Sequence, residues 1–241
     1  MLPVAILAGG LATRLRPMTD RVPKPLLSIA GRPFIFHQLT LLKNQGVDGV
    51  VLCVGHLGEQ VKAAVGDGRK FGLDIQYSFD GNELLGTGGA LKKALPLLGD
   101  DFLVLNGDSY LPCSFARIQS AYEAARRPAL MAILRNDGRW DKSNVLFRNG
   151  ELIEYDKKSP RPDMLHIDFG LSVLSSQVFS KYLESTTIDL ADICRELSMA
   201  GQLAAVEVSG RFYEIGSLQG IRDTEEFLAR QESLSRQSIN Q

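Results

Sequence analysis

VAILAGGLATRLRPMTDRVPKP, residues 4–25, is the stretch around which the chain is read. Val4, Ala5, Ile6 and Leu7 form a short continuous apolar run closed by a glycine pair, the pattern of a strand buried in a parallel sheet. Gly9 and Gly10 let the backbone turn sharply, and successive amides in such a turn make a concavity suited to anions. Cations follow, among them Arg14, Arg16 and Lys24, and Lys24 stands between Pro23 and Pro25, which stiffen the backbone on both sides. A glycine turn with fixed cations is what a triphosphate needs. A strand followed by glycines is also common in α/β proteins, so the turn alone leaves both readings open. The stretch contains no G-x-x-x-x-G-K-[ST], which excludes a P-loop, and no G-x-G-x-x-G, which leaves a dinucleotide fingerprint without support.

Outward from this loop the chain alternates. RPFIFHQLTLLKNQG repeats Ile35, Leu39 and Leu42 at helical spacing, with Gly46 as the stop. Residues 49–54 (GVVLCV) predict a buried strand, 57–65 a short helix and 74–79 (DIQYSF) a further strand. Strand–helix–strand order implies a parallel sheet with its site at the carboxyl ends of the strands. Ala90, Leu91, Ala94, Leu95 and Leu98 share one helical face behind Gly86, Thr87, Gly88 and Gly89. Glycines at a helix entry suit a flat ligand or an anion, and equally suit a plain flexible connection. Residues 101–105 (DFLVL) predict a strand ending in Asn106, Gly107 and Asp108. A carboxylate just past a strand end suits a hard cation, although Asn-Gly-Asp is also a good turn.

The second half reads as a helix over 115–126, a strand over 129–134, and strands over 143–147 and 152–155 joined by a turn at Asn149 and Gly150. A helix over 187–199 and a strand over 203–208 follow, then a last helix capped by Ser217 and a polar tail, 229–241, expected to fray. The 241 residues are 44% hydrophobic, enough for one large core. A net charge of −1 argues against a general nucleic-acid surface. Three scattered cysteines, Cys53, Cys113 and Cys194, argue against a disulfide framework or a C-x-x-C metal site. No signal peptide and no apolar run of spanning length is evident, so a cytoplasmic protein without membrane partners is expected.

LAGGLATRLRPMTDRVPKPL resembles the signature of the sugar-1-phosphate nucleotidyltransferases, roughly L-x-G-G-x-G-T-R-L-x-P-x-T-x-x-x-P-K-P. Ala12 departs from it, standing where the family carries glycine. LGTGGALKKAL and the closing segments are similar to heptose 1-phosphate guanylyltransferases. The resemblance runs from Val4 to about Leu228. It implies a Rossmann-like three-layer α/β sandwich with a mainly parallel, mixed central sheet and a small β-hairpin sugar-binding subregion. It further implies one domain, with 1–110 mainly nucleotide-binding and 111–228 mainly sugar-phosphate-binding.

Carried over to this sequence, the resemblance implies that Leu7, Ala8, Gly9, Gly10 and Thr13, with Glu83, Gly86, Thr87 and Asp108, bind the nucleotide. Arg14 would stabilise the leaving phosphates and Lys24 the α-phosphate. Gly88, Asn106, Lys157, Asp168 and Gly170 would hold the sugar phosphate, with Lys158 able to stand in for Lys157. Asp168, Phe169 and Gly170 replace the family's asparagine-alanine-glycine, and an acid there points away from glucose 1-phosphate. Asp108 and Glu214 would hold Mg²⁺, Glu214 replacing an aspartate one methylene shorter. The implied partners are a nucleoside triphosphate and a sugar 1-phosphate, GTP with heptose or mannose 1-phosphate being favoured. UTP, CTP or dTTP with another hexose, and a non-catalytic nucleotide-sugar-binding relative, are the alternatives. Family members often assemble as homo-oligomers.

Overall fold

The fold was determined as a computed structural model that describes residues 1–183 and 186–239, without the side chains of Glu232 and of residues 234–239. The strands are β1 (Val4–Leu7), β2 (Ser28–Ile29), β3 (Arg32–Pro33), β4 (Gly49–Val54), β5 (Asp74–Phe79), β6 (Asp101–Asn106), β7 (Ser109–Tyr110), β8 (Ala129–Arg135), β9 (Val145–Arg148), β10 (Glu151–Tyr155), β11 (His166–Ser175), β12 (Leu203–Glu207) and β13 (Tyr213–Glu214). The α-helices are α1 (Phe34–Asn44), α2 (Gly58–Val65), α3 (Gly86–Leu98), α4 (Phe115–Ala125), α5 (Leu190–Met199) and α6 (Leu218–Ile239).

Among the described residues, nine strands form one mixed sheet. β6, β1, β4 and β5 are neighbours and parallel; β11 runs antiparallel to both β6 and β8, and β12 pairs parallel with β8. The position of β1 explains its composition. It lies between β4 and β6, with Val4 opposite both Val50 and Leu103, so neither of its faces meets water. Val4 and Ile6 pack on one side of the sheet with Ile35 and Leu39 of α1, Val61 of α2 and Phe115 of α4. Ala5 points the other way, with Ala90, Leu91 and Ala94 of α3 and Ile193 of α5. Helices thus cover both faces, giving the expected three layers. α6 packs elsewhere: Ile221 and Leu228 close a smaller cluster with Leu15, Leu27, Ile29 and Phe34, which seats the residues after the first loop.

β11 is kinked. Its register against β8 shifts between Asp168 and Ser172, and Gly170 sits in the shift at φ +89°. Only a residue without Cβ takes that conformation easily. The hairpin β9–β10 turns on Asn149 and Gly150, both at positive φ, as the turn sequence predicts.

Several boundaries differ from the sequence reading, most by a single residue, and three have a local cause. The helix expected from residue 187 starts at Leu190, because Asp189 accepts the Ala191 amide and residues before it run along the entry of α3. The strand expected from 143 starts at Val145, because the Asn144 carboxamide is buried and accepts the Asp168 amide at 3.0 Å. The tail lies partly outside the described residues; α6 itself runs to Ile239.

Candidate active site

β1 is where the sheet order reverses: the chain moves from β1 to β4 on one side and returns from β5 to β6 on the other. Loops leaving β1 and β6 therefore diverge and open a crevice at the carboxyl ends of the strands. Leu7 stands opposite Asn106, so the glycine turn of residues 8–10 faces the turn of residues 106–108. Contact is close. The Gly107 amide donates to Leu7 O at 3.1 Å, and a Cβ on Gly107 would lie 2.3 Å from that same oxygen.

A cleft of about 290 Å³ fills the crevice, lined among others by Ala8, Gly9, Gly10, Lys24, Asp80 and Asp108. Two spaces adjoin it. One is lined by Thr13, Arg14, Lys24 and Gly216, the other by Asn106, Lys157, Asp168, Gly170 and Asp189. Lys24 belongs to the first pair of spaces, and Leu7, Thr87, Asn106 and Lys157 join the central cleft to the second. Two cations and a carboxylate that are far apart in the chain thus share one space.

The polar geometry centres on Asp108. Lys24 Nζ donates to Asp108 Oδ2 at 3.0 Å, with the lysine side chain only 17% exposed. Ser109 Oγ donates to Oδ1 at 3.2 Å. Gln38, wholly buried in α1, donates from Nε2 to Asn106 O at 3.0 Å and to Ser109 O at 2.8 Å, bracing the turn that carries Asp108. The first loop is held in a less usual way. Ala12 lies at φ +49°, in the left-handed region its family glycine would occupy freely, and Thr19 Oγ1 donates to its carbonyl at 2.9 Å. Arg16 pairs with Asp20 at the surface, at 3.4 Å, whereas Lys24 lines the cleft and Arg14 the space beside it.

Glu214 is beside Asp108 in the backbone, since the Ile215 amide donates to Asp108 O at 2.9 Å. Its carboxylate folds back onto the start of α6, accepting the Gly216 amide and, at 2.7 Å, the Ser217 hydroxyl. Ser217 Oγ in turn accepts the Gly220 amide at 2.9 Å, the expected cap. A Cβ on Gly216 would stand 2.6 Å from Glu214 Oε2 and 3.6 Å from Asp108 Oδ2, so both carboxylates border the same glycine.

The Gly86–Gly89 entry of α3 serves a use not read from the sequence. The Gly88 and Gly89 amides both donate to Ile188 O, at 2.9 and 3.2 Å. The Thr87 hydroxyl donates to Asp189 Oδ1 at 2.8 Å and accepts the Leu190 amide at 2.7 Å. A Cβ on Gly86 would come within 2.6 Å of Ile188 O. These glycines admit the segment before α5. Gly88 is buried and does not line the cleft, whereas Gly86 and Thr87 do. Glu83 is exposed and lines none of the three spaces.

Lys157 and Lys158 separate clearly. Lys158 Nζ pairs with Asp192 at 2.5 Å, away from the cleft. Lys157 lines both the cleft and the recess beside it. The turn carrying it is anchored by Asp156, which accepts the Lys158 and Ser159 amides and Arg195 Nε at 2.9, 2.7 and 2.8 Å.

Two acids escaped the sequence reading. Asp80 follows the end of β5 and lines the cleft; partial burial pushes its carboxyl above the usual range, against the opposing Leu85 amide and Lys93. A carboxylate just past a strand end was the signal available, as it was for Asp108. Asp189 could be found only from the helix cap that it forms. Burial alone would raise its carboxyl, but the Ala191 amide and the Thr87 hydroxyl outweigh that and hold it low.

A crevice at a reversal of strand order, with Lys24 meeting Asp108 inside it, is where an open α/β sheet takes its ligand. The chain belongs to the nucleotidyl transferase family, whose model matches residues 4–231. It is 45% identical over 118 residues, 48% of this chain and 51% of the relative, to an N-acetylmuramate alpha-1-phosphate uridylyltransferase of Neisseria meningitidis serogroup B. It is 30% identical over 219 residues to a mannose-1-phosphate guanylyltransferase catalytic subunit beta of Xenopus tropicalis, covering 88% of this chain and 60% of that one. The chain thus spans between half and two thirds of the length of these relatives. In fold it matches HddC from Yersinia pseudotuberculosis, solved with GMP-PN, at a TM-score of 0.79 and 24% identity over 95% of this chain and 100% of that one. Among the described residues no helix is long and apolar enough to cross a membrane.

Proposed function

We propose that the chain is a sugar-1-phosphate nucleotidyltransferase that joins a nucleoside triphosphate to a sugar 1-phosphate and releases pyrophosphate. The observation that carries this reading is the Lys24–Asp108 pair at 3.0 Å inside a cleft that Gly9, Gly10 and Lys157 also line. Residues 1–110 supply the nucleotide half of the site and 111–228 most of the sugar half.

The nucleophile needs little help. A phosphate monoester is largely dianionic at neutral pH, its second pKa being about 6, so no general base is required. The obstacle is charge, because two anions must meet and more charge gathers on the departing pyrophosphate. Positioning and electrostatic stabilisation carry most of such a transfer. Backbone amides at Gly9 and Gly10 cradle the triphosphate. Arg14, in the adjoining space, meets the leaving phosphates, Lys24 neutralises the α-phosphate, and Lys157 holds the incoming phosphate.

The acids at the centre fit Mg²⁺. Asp108 offers a carboxylate that now holds only a lysine and a hydroxyl, and Glu214 borders the same glycine. Such a cation would take its further oxygens from phosphates and water. When bound, the ion would neutralise phosphate charge beside Asp108.

GTP with heptose or mannose 1-phosphate is the favoured pair. The guanylyltransferase relative aligns over most of this chain. Asp80 lines the cleft, and a carboxylate accepts the neighbouring N1–H and N2–H donors of guanine together. UTP is the second reading, because the shorter but stronger match is to a protein named as a uridylyltransferase. Nucleoside triphosphate and sugar phosphate as substrates suit a cytoplasmic protein, and the resemblance implies an assembly of identical chains. Pyrophosphate release measured for four nucleotides against several sugar 1-phosphates tests the reaction and the substrate assignment. Turnover strongest with GTP supports the favoured pair, turnover strongest with UTP transfers the base assignment, and none with any pair leaves a binding protein only.

A further inference from the structure

The recess beside Asn106 is unevenly charged. Lys157 is the one cation lining it among the described residues, and Asp168 and Asp189 line it as well, with Tyr155 and Ser172 between neutral neighbours. Each acid spends one oxygen on the fold. Asp168 Oδ1 accepts the Gly170 amide at 2.8 Å; Asp189 Oδ1 accepts the Thr87 hydroxyl at 2.8 Å and the Ala191 amide at 3.0 Å. No donor among the described residues meets the second oxygen of either carboxyl.

A ligand whose phosphate sits on Lys157 consumes the positive charge of the recess. What remains is acceptor capacity from two acids. Ring hydroxyls satisfy such acceptors by donating to them, and a protonated amine does so with added attraction. A second anionic group would lie near the Asp189 carboxylate in a space partly shielded from water, where like charges repel more strongly than in bulk solvent; burial raises the Asp168 carboxyl against the Gly170 amide and Lys157, so Asp168 adds a hydrogen-bonding partner. Asp189 stays ionised through its cap bonds, so the repulsion persists at neutral pH.

We infer that Asp189 determines sugar specificity by charge, with Asp168 beside it as a hydrogen-bonding partner: the recess accepts a sugar 1-phosphate whose other substituents are neutral hydroxyls or a cationic amine, and rejects one bearing a carboxylate. The inference rests on the proposed transferase reading for the kind of ligand, and on the recess for its charge.

Glucose, glucosamine and glucuronic acid 1-phosphates share a ring and differ in charge, which makes them the probes. Each is assayed with GTP and Mg²⁺ for pyrophosphate release and, separately, for binding to the full chain by calorimetry. The neutral and amino sugars should exceed the glucuronate at least about tenfold in affinity and in kcat/KM. Asp168→Asn and Asp189→Asn keep the shapes, and asparagine also caps a helix. Asp189→Asn should narrow the neutral-to-acid ratio by about threefold or more, and Asp168→Asn should narrow it less, whatever either does to absolute rate. Equal handling of the glucuronate, an unchanged ratio in Asp189→Asn, or binding of none of the three would overturn the inference. If binding follows charge while no pyrophosphate appears, the selectivity stands and the transfer reading falls.

Discussion

Lys24 is fixed by its neighbours before it meets any partner. Pro23 and Pro25 restrict the backbone on both sides, and Asp108 takes the ammonium at 3.0 Å. An arginine or a free lysine on a surface loop would lack both constraints. Lys24→Ala should leave the fold intact and lower turnover about 10²–10³-fold, the cost of losing one fixed stabilising donor. Circular dichroism checks the fold and pyrophosphate release the rate; an unchanged rate in a folded variant would remove Lys24 from the chemistry. Ala12 shows a different residue-scale lesson. The signature marks the position as glycine, and alanine here takes a left-handed φ of +49°, a conformation that favours glycine.

At the scale of elements, the entry of α3 joins two parts of the site. Gly88 and Gly89 hand their amides to Ile188 O, and Thr87 bonds to the cap of α5, so the loop beside the nucleotide cleft and the helix beside the sugar recess move as one. Gly89→Ala would bring a Cβ to 2.6 Å from Thr186 O and 2.9 Å from Leu85 Cβ. Alanine normally strengthens a helix, so a loss of stability here would come from the clash alone. The variant should lose about 1–3 kcal/mol in urea unfolding, as overpacked positions do. Gly49→Ala is the control, since its Cβ would meet nothing closer than Pro3 Cβ at 3.9 Å. Equal midpoints for the two variants would show that the segment before α5 yields without cost.

Across the whole molecule, stability responds to pH through carboxyls of opposite habit. The Ser159 amide, Arg195 and the Lys158 amide hold the Asp156 carboxyl below its usual range. Burial raises Asp168 instead, against the Gly170 amide and Lys157. A depressed carboxyl contributes stability above its unfolded pKa, about 3.9, and loses it as pH falls through the folded value. A raised carboxyl works in the opposite sense, so the net slope mixes both. Asp156→Asn isolates one of them. The Tm gap between wild type and this variant should be largest near pH 6 and close toward pH 3. A gap that stays constant across that range would show that Asp156 contributes through shape rather than charge. The turn that presents Lys157 depends on this acid, so the same variant should weaken sugar-phosphate binding at neutral pH.

Much was written in the chain itself. Short apolar runs and their flanking glycines specified the parallel strands, because a strand covered on both faces has no choice of register with water. The Asn149–Gly150 turn and the Ser217 cap are local chemistry and were legible for the same reason. The long first-loop signature marked Lys24 and, with the strand end at Asp108, the centre of the site. Tertiary structure alone decided the rest. It gave Gly88 to Ile188 and brought Asp80 and Asp189 to the site. Each of those outcomes depends on which distant segment arrives next to a residue, and spacing along a chain carries no record of a neighbour a hundred residues away.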